Sequence, residues 1–265
     1  MRTIGFINWK GGVGKTTASI NTAHFFGGYK ENVRVLFIDG DKQANSSYWF
    51  GADASKGSLT DILLNGAAGR DVIQKTRYPN IDIIASDESL IQANYSVLSN
   101  KEAIQHNILK NALQDVKFDY DICIIDNPPD SNLPVLNCMA IMDDIIAVTL
   151  PNKFSLSGVS KLQEEIDNYN RDLHLSLSVR GILVNQFSIR GSDILAETRK
   201  KYHFFPHLRG GKNTQNWLDR VINEQKSIFE ISPNSGYARD LTKFAQKIEE
   251  IIMMDLQGKV DQVLW

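Results

Sequence analysis

The run Gly12-Val13-Gly14-Lys15-Thr16 gives each of its residues a task in holding a polyphosphate. Glycines let the backbone turn successive N–H groups inward, Lys15 reaches the outer phosphates, and the Thr16 hydroxyl suits Mg²⁺. The run follows the apolar stretch 3–7 and opens a segment, Thr17 to Phe26, that can be a helix, which is the setting such a loop requires. Lys10 adds a second cation just upstream. Near a γ-phosphate it would offset charge that one lysine and Mg²⁺ only partly compensate, although a lysine beside a glycine loop can equally be solvated.

Two further apolar runs end in carboxylates. Val33 to Ile38 leads into Asp39-Gly40-Asp41-Lys42-Gln43-Ala44-Asn45, and Ile122 to Ile125 leads into Asp126-Asn127-Pro128-Pro129. Open parallel sheets bind ligands beyond the carboxyl ends of their strands, so these groups are expected close to the phosphate loop. Turns also favour Asp and Gly, and Asp126 could cap a helix, so residue type alone leaves both readings open.

The loop has Trp9 where the ordinary G-x-x-x-x-G-K-[ST] pattern has glycine, and Lys10-Gly11-Gly12-Val13-Gly14-Lys15-Thr16-Thr17 resembles the deviant Walker A motif of the ParA/MinD ATPases. The resemblance continues in the D-x-D-x-Q-x-N segment, with Lys42 where that family usually has proline. It also includes the D-x-P-P tail after Asp126 and the P-x-x-x-S-L-x-G pattern from Pro151 to Gly158. It weakens beyond Val184, most of all between Arg199 and Arg220.

The resemblance implies ATP and Mg²⁺ as cofactors and ATP hydrolysis as the activity. Gly11, Gly12, Val13, Gly14, Lys15, Thr16 and Thr17 would hold the nucleotide. Lys10 would cross to the phosphates of a second subunit in a nucleotide-sandwich homodimer. Thr16, Asp39 and Asp126 would organise the Mg²⁺ environment, and Asp41 would orient the attacking water, so that Lys10, Lys15 and Asp41 form the catalytic set. Asn185, at the end of the run Val179 to Val184, looks like the family's strand-end asparagine near adenine; an amide suits a purine edge, which makes it the base-contact candidate, against the alternative of a buried amide satisfying its own turn.

The nearest family pattern is the short ParA/Soj-type partition ATPase, since no helix-turn-helix segment is expected before Ile4. It implies non-specific binding of double-stranded DNA, a ParB-type partner, and a cytoplasmic, nucleoid-associated location. Formal net charge is -2, so DNA would have to meet a local patch. Arg199, Lys200, Lys201, Arg209, Lys212 and Arg220 are the candidates for a phosphate-contacting strip, against a plain solvated surface. The alternative is a MinD-like membrane-positioning ATPase. It is disfavoured because Ile248 to Trp265 carries Glu249, Glu250, Asp255 and Asp261 against Lys259 alone. Cys123 and Cys138 form no metal pair or disulfide framework and read as buried apolar residues.

These groups need a scaffold that brings several strand ends together. Short apolar runs at 3–7, 33–38, 81–85, 122–125, 145–150 and 179–184 alternate with helical stretches near 101–115, 133–140 and 156–169. That order predicts an α/β fold with a mostly parallel sheet flanked by helices, P-loop NTPase-like, as one domain over 1–265. Helices are also expected at 192–201, 215–224 and Gly236 to Met254. With 42% hydrophobic and 23% charged residues, the composition is that of a chain able to bury a substantial core.

Overall fold

The apolar runs become strands because Ile, Val, Leu and Phe can be buried on both faces of a parallel sheet. In the computed structural model, which describes residues 1–30, 33–99, 106–188 and 193–263, they are β1 (Arg2–Ile7), β2 (Val35–Asp39), β3 (Ile73–Lys75), β4 (Ile81–Ile84), β5 (Ile122–Asp126), β6 (Asp144–Thr149) and β7 (Val179–Val184). The sheet order is β3-β4-β2-β5-β1-β6-β7, parallel except for β3, which runs antiparallel to β4. β1 lies between β5 and β6, and the register pairs Phe6 with Asp126 and Asp39 with Asp126. The carboxylates therefore leave the sheet at one level, beside the loop that leaves β1.

The helices are α1 (Lys15–His24), α2 (Asn45–Phe50), α3 (Leu59–Asn65), α4 (Gly69–Val72), α5 (Gln92–Ser99), α6 (Ile108–Ala112), α7 (Leu133–Met139), α8 (Lys153–Leu173), α9 (Ala196–Arg199), α10 (Lys212–Asn223), α11 (Ile228–Ile231) and α12 (Gly236–Val263). Asn132 and Asn152 cap α7 and α8 by accepting from the Val135 and Ser155 N–H groups, and Ser227 with Glu230 forms a capping box on α11. One apolar layer joins Phe6, Phe37, Trp49, Val221 and Phe244, and a second joins Ile38, Cys123, Met139, Leu162 and Ile182. The two layers cover opposite faces of the sheet, as alternation along each strand requires.

Several expected boundaries change. The helix expected over 101–115 is α6 alone among the described residues, with 101–105 outside them. The stretch 192–201 holds a tight turn at Asp193–Leu195 followed by α9, with 192 outside the described residues. β3 and α2 to α5 were not foreseen. α1 continues as a wider helical turn over Phe25–Tyr29, where Gly27 passes so close to β4 that a Cβ would lie 2.6 Å from Ile81 Cγ1.

Candidate nucleotide site

The phosphate loop owes its path to two positive φ angles, +73° at Gly12 and +94° at Gly14. Gly14 also has no room for a side chain, since a Cβ would sit 2.1 Å from Asn185 Nδ2. Between them Val13 is buried, and its carbonyl accepts a 3.1 Å hydrogen bond from that same Nδ2. The Asn185 carbonyl oxygen accepts from the Tyr237 hydroxyl (3.1 Å) and the Gln186 N–H (2.9 Å). Asn185 thus braces the loop against β7 and α12, and the base-contact expectation meets an amide whose oxygen and one N–H are already committed.

The other end of the loop is fixed by Asn8, fully buried at the end of β1. Its Nδ2 donates to the carbonyls of Val148 (2.7 Å) and Ser155 (3.2 Å), while its Oδ1 accepts from the Lys10 N–H (2.9 Å). Gly158 on α8 makes this approach possible, because a Cβ there would lie 2.1 Å from Asn8 Oδ1. Lys10 therefore has a fixed backbone and an exposed side chain, whereas Lys15 is buried against the site. Burial lowers the Lys15 pKa, and the carboxylates of Asp126 and Asp41 oppose that shift.

Asp126 is buried, with Oδ2 accepting from Ser46 Oγ at 2.8 Å and the Thr16 hydroxyl also bonded to the carboxylate. Its Oδ1 is buried with no hydrogen-bond partner among the described residues. Burial pushes its pKa up to about 6, with Thr16, Ser46 and Lys15 pulling the other way. Asp39 is raised to about 7, by burial first and by the neighbouring Asp126 second. Its oxygens accept from Ser47 N–H (2.7 Å), Ser47 Oγ (2.8 Å) and Asp41 N–H (3.1 Å), so it ties the segment after β2 to the start of α2. A hard divalent cation fits this set: Asp126 Oδ1 lacks a donor, Thr16 lies on the same carboxylate, and added positive charge would favour both ionised forms.

Asp41 is half-buried, its Oδ1 accepting from Gln43 N–H at 3.0 Å, and it faces the cleft over the loop. That cleft has a volume of about 510 Å³. Its floor is Gly11 to Thr17; its far wall is α10, through Gln215, Leu218, Asp219 and Ile222. The helix expected at 215–224 is α10, which begins three residues earlier, at Lys212; sequence reasoning missed its place on the cleft, and it missed Asn8. The only signals were an i, i+3, i+4, i+7 stripe on α10 and a polar residue directly after an apolar strand.

The basic candidates do not form one open strip. Arg209 donates to Asp240 through Nε (2.6 Å) and a terminal nitrogen (2.8 Å), and the Arg209 N–H donates to it as well, which locks the segment after β7 to α12. Arg220 pairs with Glu224 (2.6 Å) and Lys200 with Glu197 (2.7 Å), while Arg199 lies over the Phe204 ring. Lys201 is exposed, and the Lys212 side chain lies outside the described residues. Arg209 is consequently a structural residue first, because three charge-assisted bonds to a buried carboxylate hold it.

Cys123 and Cys138 are buried and free, and burial pushes the Cys138 thiol up to about 12. Among the described residues no cluster of three or more His, Cys, Asp or Glu side chains could hold a metal. A cation here would depend on phosphate and water ligands as well as on Asp126 and Thr16.

Comparison with known proteins agrees with this geometry. Residues 1–179 match the family model described as an AAA domain. The chain is 28% identical over 263 residues to the virulence plasmid ParA family protein pGP5-D of Chlamydia psittaci, covering 96% of this chain and 97% of that protein. It is 30% identical over 207 residues to the sporulation initiation inhibitor protein Soj of Bacillus subtilis, covering 76% and 80%. The ATP complex of a Cyanothece McdA variant superposes with a TM-score of 0.81 at 20% identity, over 94% of this chain and 95% of that one, which shows the shared fold. With a loop built around two left-handed glycines, a second lysine on its rim and carboxylates at the adjoining strand ends, the chain belongs to the ParA/MinD family of P-loop ATPases.

Proposed function

We propose that this chain is a partition ATPase of the ParA type: ATP with Mg²⁺ joins two copies, the dimer holds duplex DNA without sequence preference, and a ParB-type partner stimulates hydrolysis and release. The observation that carries the proposal is the division of labour between the two lysines. Lys15 is buried within the cleft of its own subunit, whereas Lys10 is exposed on a backbone that Asn8 fixes. A cation held at the rim in this way is placed to meet a phosphate that its own loop does not cradle. Phe154, 80% exposed at the start of α8, extends the same rim with an apolar contact suited to a second copy.

In this reading Thr16 and Asp126 would hold Mg²⁺, whose charge would offset that of the outer phosphates, and Asp39 fixes the segment that carries Asp41. Asp41 orients the attacking water, and its removal should lower turnover more than binding. Related partition proteins act on the chromosome or a plasmid, so the expected location is the cytoplasm, at the nucleoid. Of the six basic candidates, Arg199 and Lys201 have no carboxylate partner among the described residues and are the first DNA candidates, and contacts to phosphate would make binding steeply salt-dependent.

Sedimentation of Lys10→Ala and the parent with a slowly hydrolysed ATP analogue tests dimerisation: the variant should remain monomeric, and equal dimer fractions would refute the reading. Two unrelated duplexes titrated across a salt series should bind alike and only in the ATP state. If neither binds, DNA is the wrong partner and anionic vesicles test the membrane-positioning alternative; no described helix is long and apolar enough to cross a membrane.

A further inference from the structure

The face that α10 turns to the cleft is mixed in a way that fits one kind of ligand. Gln215, Leu218, Asp219 and Ile222 are spaced i, i+3, i+4 and i+7, so they form a single stripe on the helix, and all four line the space above the phosphate loop. Two are apolar and two are polar. The polar pair are neighbours, Gln215 Nε2 donating to Asp219 Oδ1 at 2.8 Å. After that bond the pair still presents one amide N–H and one free carboxylate oxygen side by side, a donor next to an acceptor. Asn185, which also lines the cleft, offers less, because it spends its oxygen on Tyr237 and Gln186 and one N–H on Val13.

The stripe is held in place from behind. Val221 is fully buried and its carbonyl accepts from Trp49 Nε1 at 2.7 Å, and just past the helix Gln225 Nε2 donates to the Tyr48 carbonyl at 2.7 Å. Both bonds run to α2, the helix that follows Asp41. The wall is thus set relative to the phosphate end of the cleft, as discrimination between similar ligands requires.

We infer that Gln215 and Asp219 read the base of the bound nucleotide, with Leu218 and Ile222 against its flat face. An adenine has an apolar face and an edge on which an acceptor, N1, adjoins a donor, the 6-amino group. Gln215 supplies the N–H for N1, and Asp219 accepts from the amino group. This rests on the ATP reading of the same cleft and assigns its base specificity to a helix distant in sequence from every phosphate-binding motif.

The test compares ATP with purine riboside triphosphate, which keeps N1 and the phosphates but has hydrogen in place of the 6-amino group. Equilibrium binding is measured for the parent, Asp219→Ala and Gln215→Leu; both positions are exposed, and thermal melts check that each variant folds. The parent should prefer ATP by about tenfold or more, the usual range for a hydrogen bond to a charged group. Asp219→Ala should lose affinity for ATP alone, so that the ratio approaches one. Gln215→Leu should weaken both nucleotides and keep the preference, since both retain N1. A parent that does not discriminate, or an Asp219→Ala protein that still does, overturns the assignment while leaving ATP binding intact. Failure of the parent to bind either nucleotide removes the ATP reading and the inference together.

Discussion

Replacing Asn185 by alanine separates a bracing amide from a base-reading one. The substitution deletes three hydrogen bonds at once, from Nδ2 to Val13 and to Oδ1 from Tyr237 and Gln186. Two of the abandoned groups, the Val13 carbonyl and the Tyr237 hydroxyl, belong to fully buried residues. Leaving a buried polar group unpaired costs about 1–3 kcal/mol, so the expected loss of stability is about 2–5 kcal/mol. With a urea dependence of about 3 kcal/mol per molar, the unfolding midpoint should fall by about 1 M. Tyr237→Phe removes one of the stranded groups, and a double-mutant cycle should return about 1 kcal/mol of coupling between the two positions. Nucleotide binding gives the second readout: a loosened loop weakens ATP, GTP and purine riboside triphosphate by the same factor. A stability change below about 0.5 kcal/mol, or a loss confined to adenine nucleotides, would refute the bracing argument.

Arg209→Ala should destabilise the protein by about 1–2 kcal/mol, a figure kept low because half of the arginine is solvent-screened. Burial alone would raise the Asp240 pKa, but its bonds to Arg209 outweigh that and hold it below the usual carboxylate range. Their stabilisation is therefore present above about pH 4 and is lost as the pH falls further, so parent and variant should converge in acid melts. His24 behaves oppositely to a surface histidine: burial lowers its pKa, the unfolded chain binds its proton first, and stability should fall as the pH drops below about 6.5. The loss is about 1.4 kcal/mol for each unit of depression, and His24→Gln should flatten the pH profile of the melting temperature. Cys123 and Cys138 should resist a thiol reagent at pH 8 in the native protein and both react in urea; rapid native labelling would contradict their burial.

The parts of the site legible in the sequence are those in which one short segment performs one task. The phosphate loop is contiguous, its glycines and lysine are spaced by local geometry, and Asp39 and Asp126 follow apolar runs whose ends a parallel sheet must align. What could not be read depends on partners distant in the chain. Asn185 lies 172 residues from the Val13 carbonyl it holds, and Arg209 lies 31 from Asp240. A basic run carries the same letters whether its charges face solvent or close on a carboxylate. β3 escaped notice because Ile73–Lys75 is too short for a pattern, and the part α10 plays in the cleft did so because its polar stripe looks like an ordinary solvated helix face.

The two margins of the sheet also constrain how copies of this chain can meet. At one margin β3 is only three residues long, and Gln74 Nε2 caps the neighbouring backbone by donating to the carbonyls of Asp53 (2.9 Å) and Gly57 (2.8 Å). At the other, bridges from Ile182 to Phe204 and from Phe187 to Arg209 lay a further segment along β7. An open strand edge is a template for another chain, and neither margin offers a long one. Growth of the sheet by strand addition, the usual route from an α/β protein to insoluble aggregate, is therefore blocked at both ends while the fold holds. The ATP-dependent pairing proposed for the loop-bearing end would therefore not compete with strand pairing at the margins.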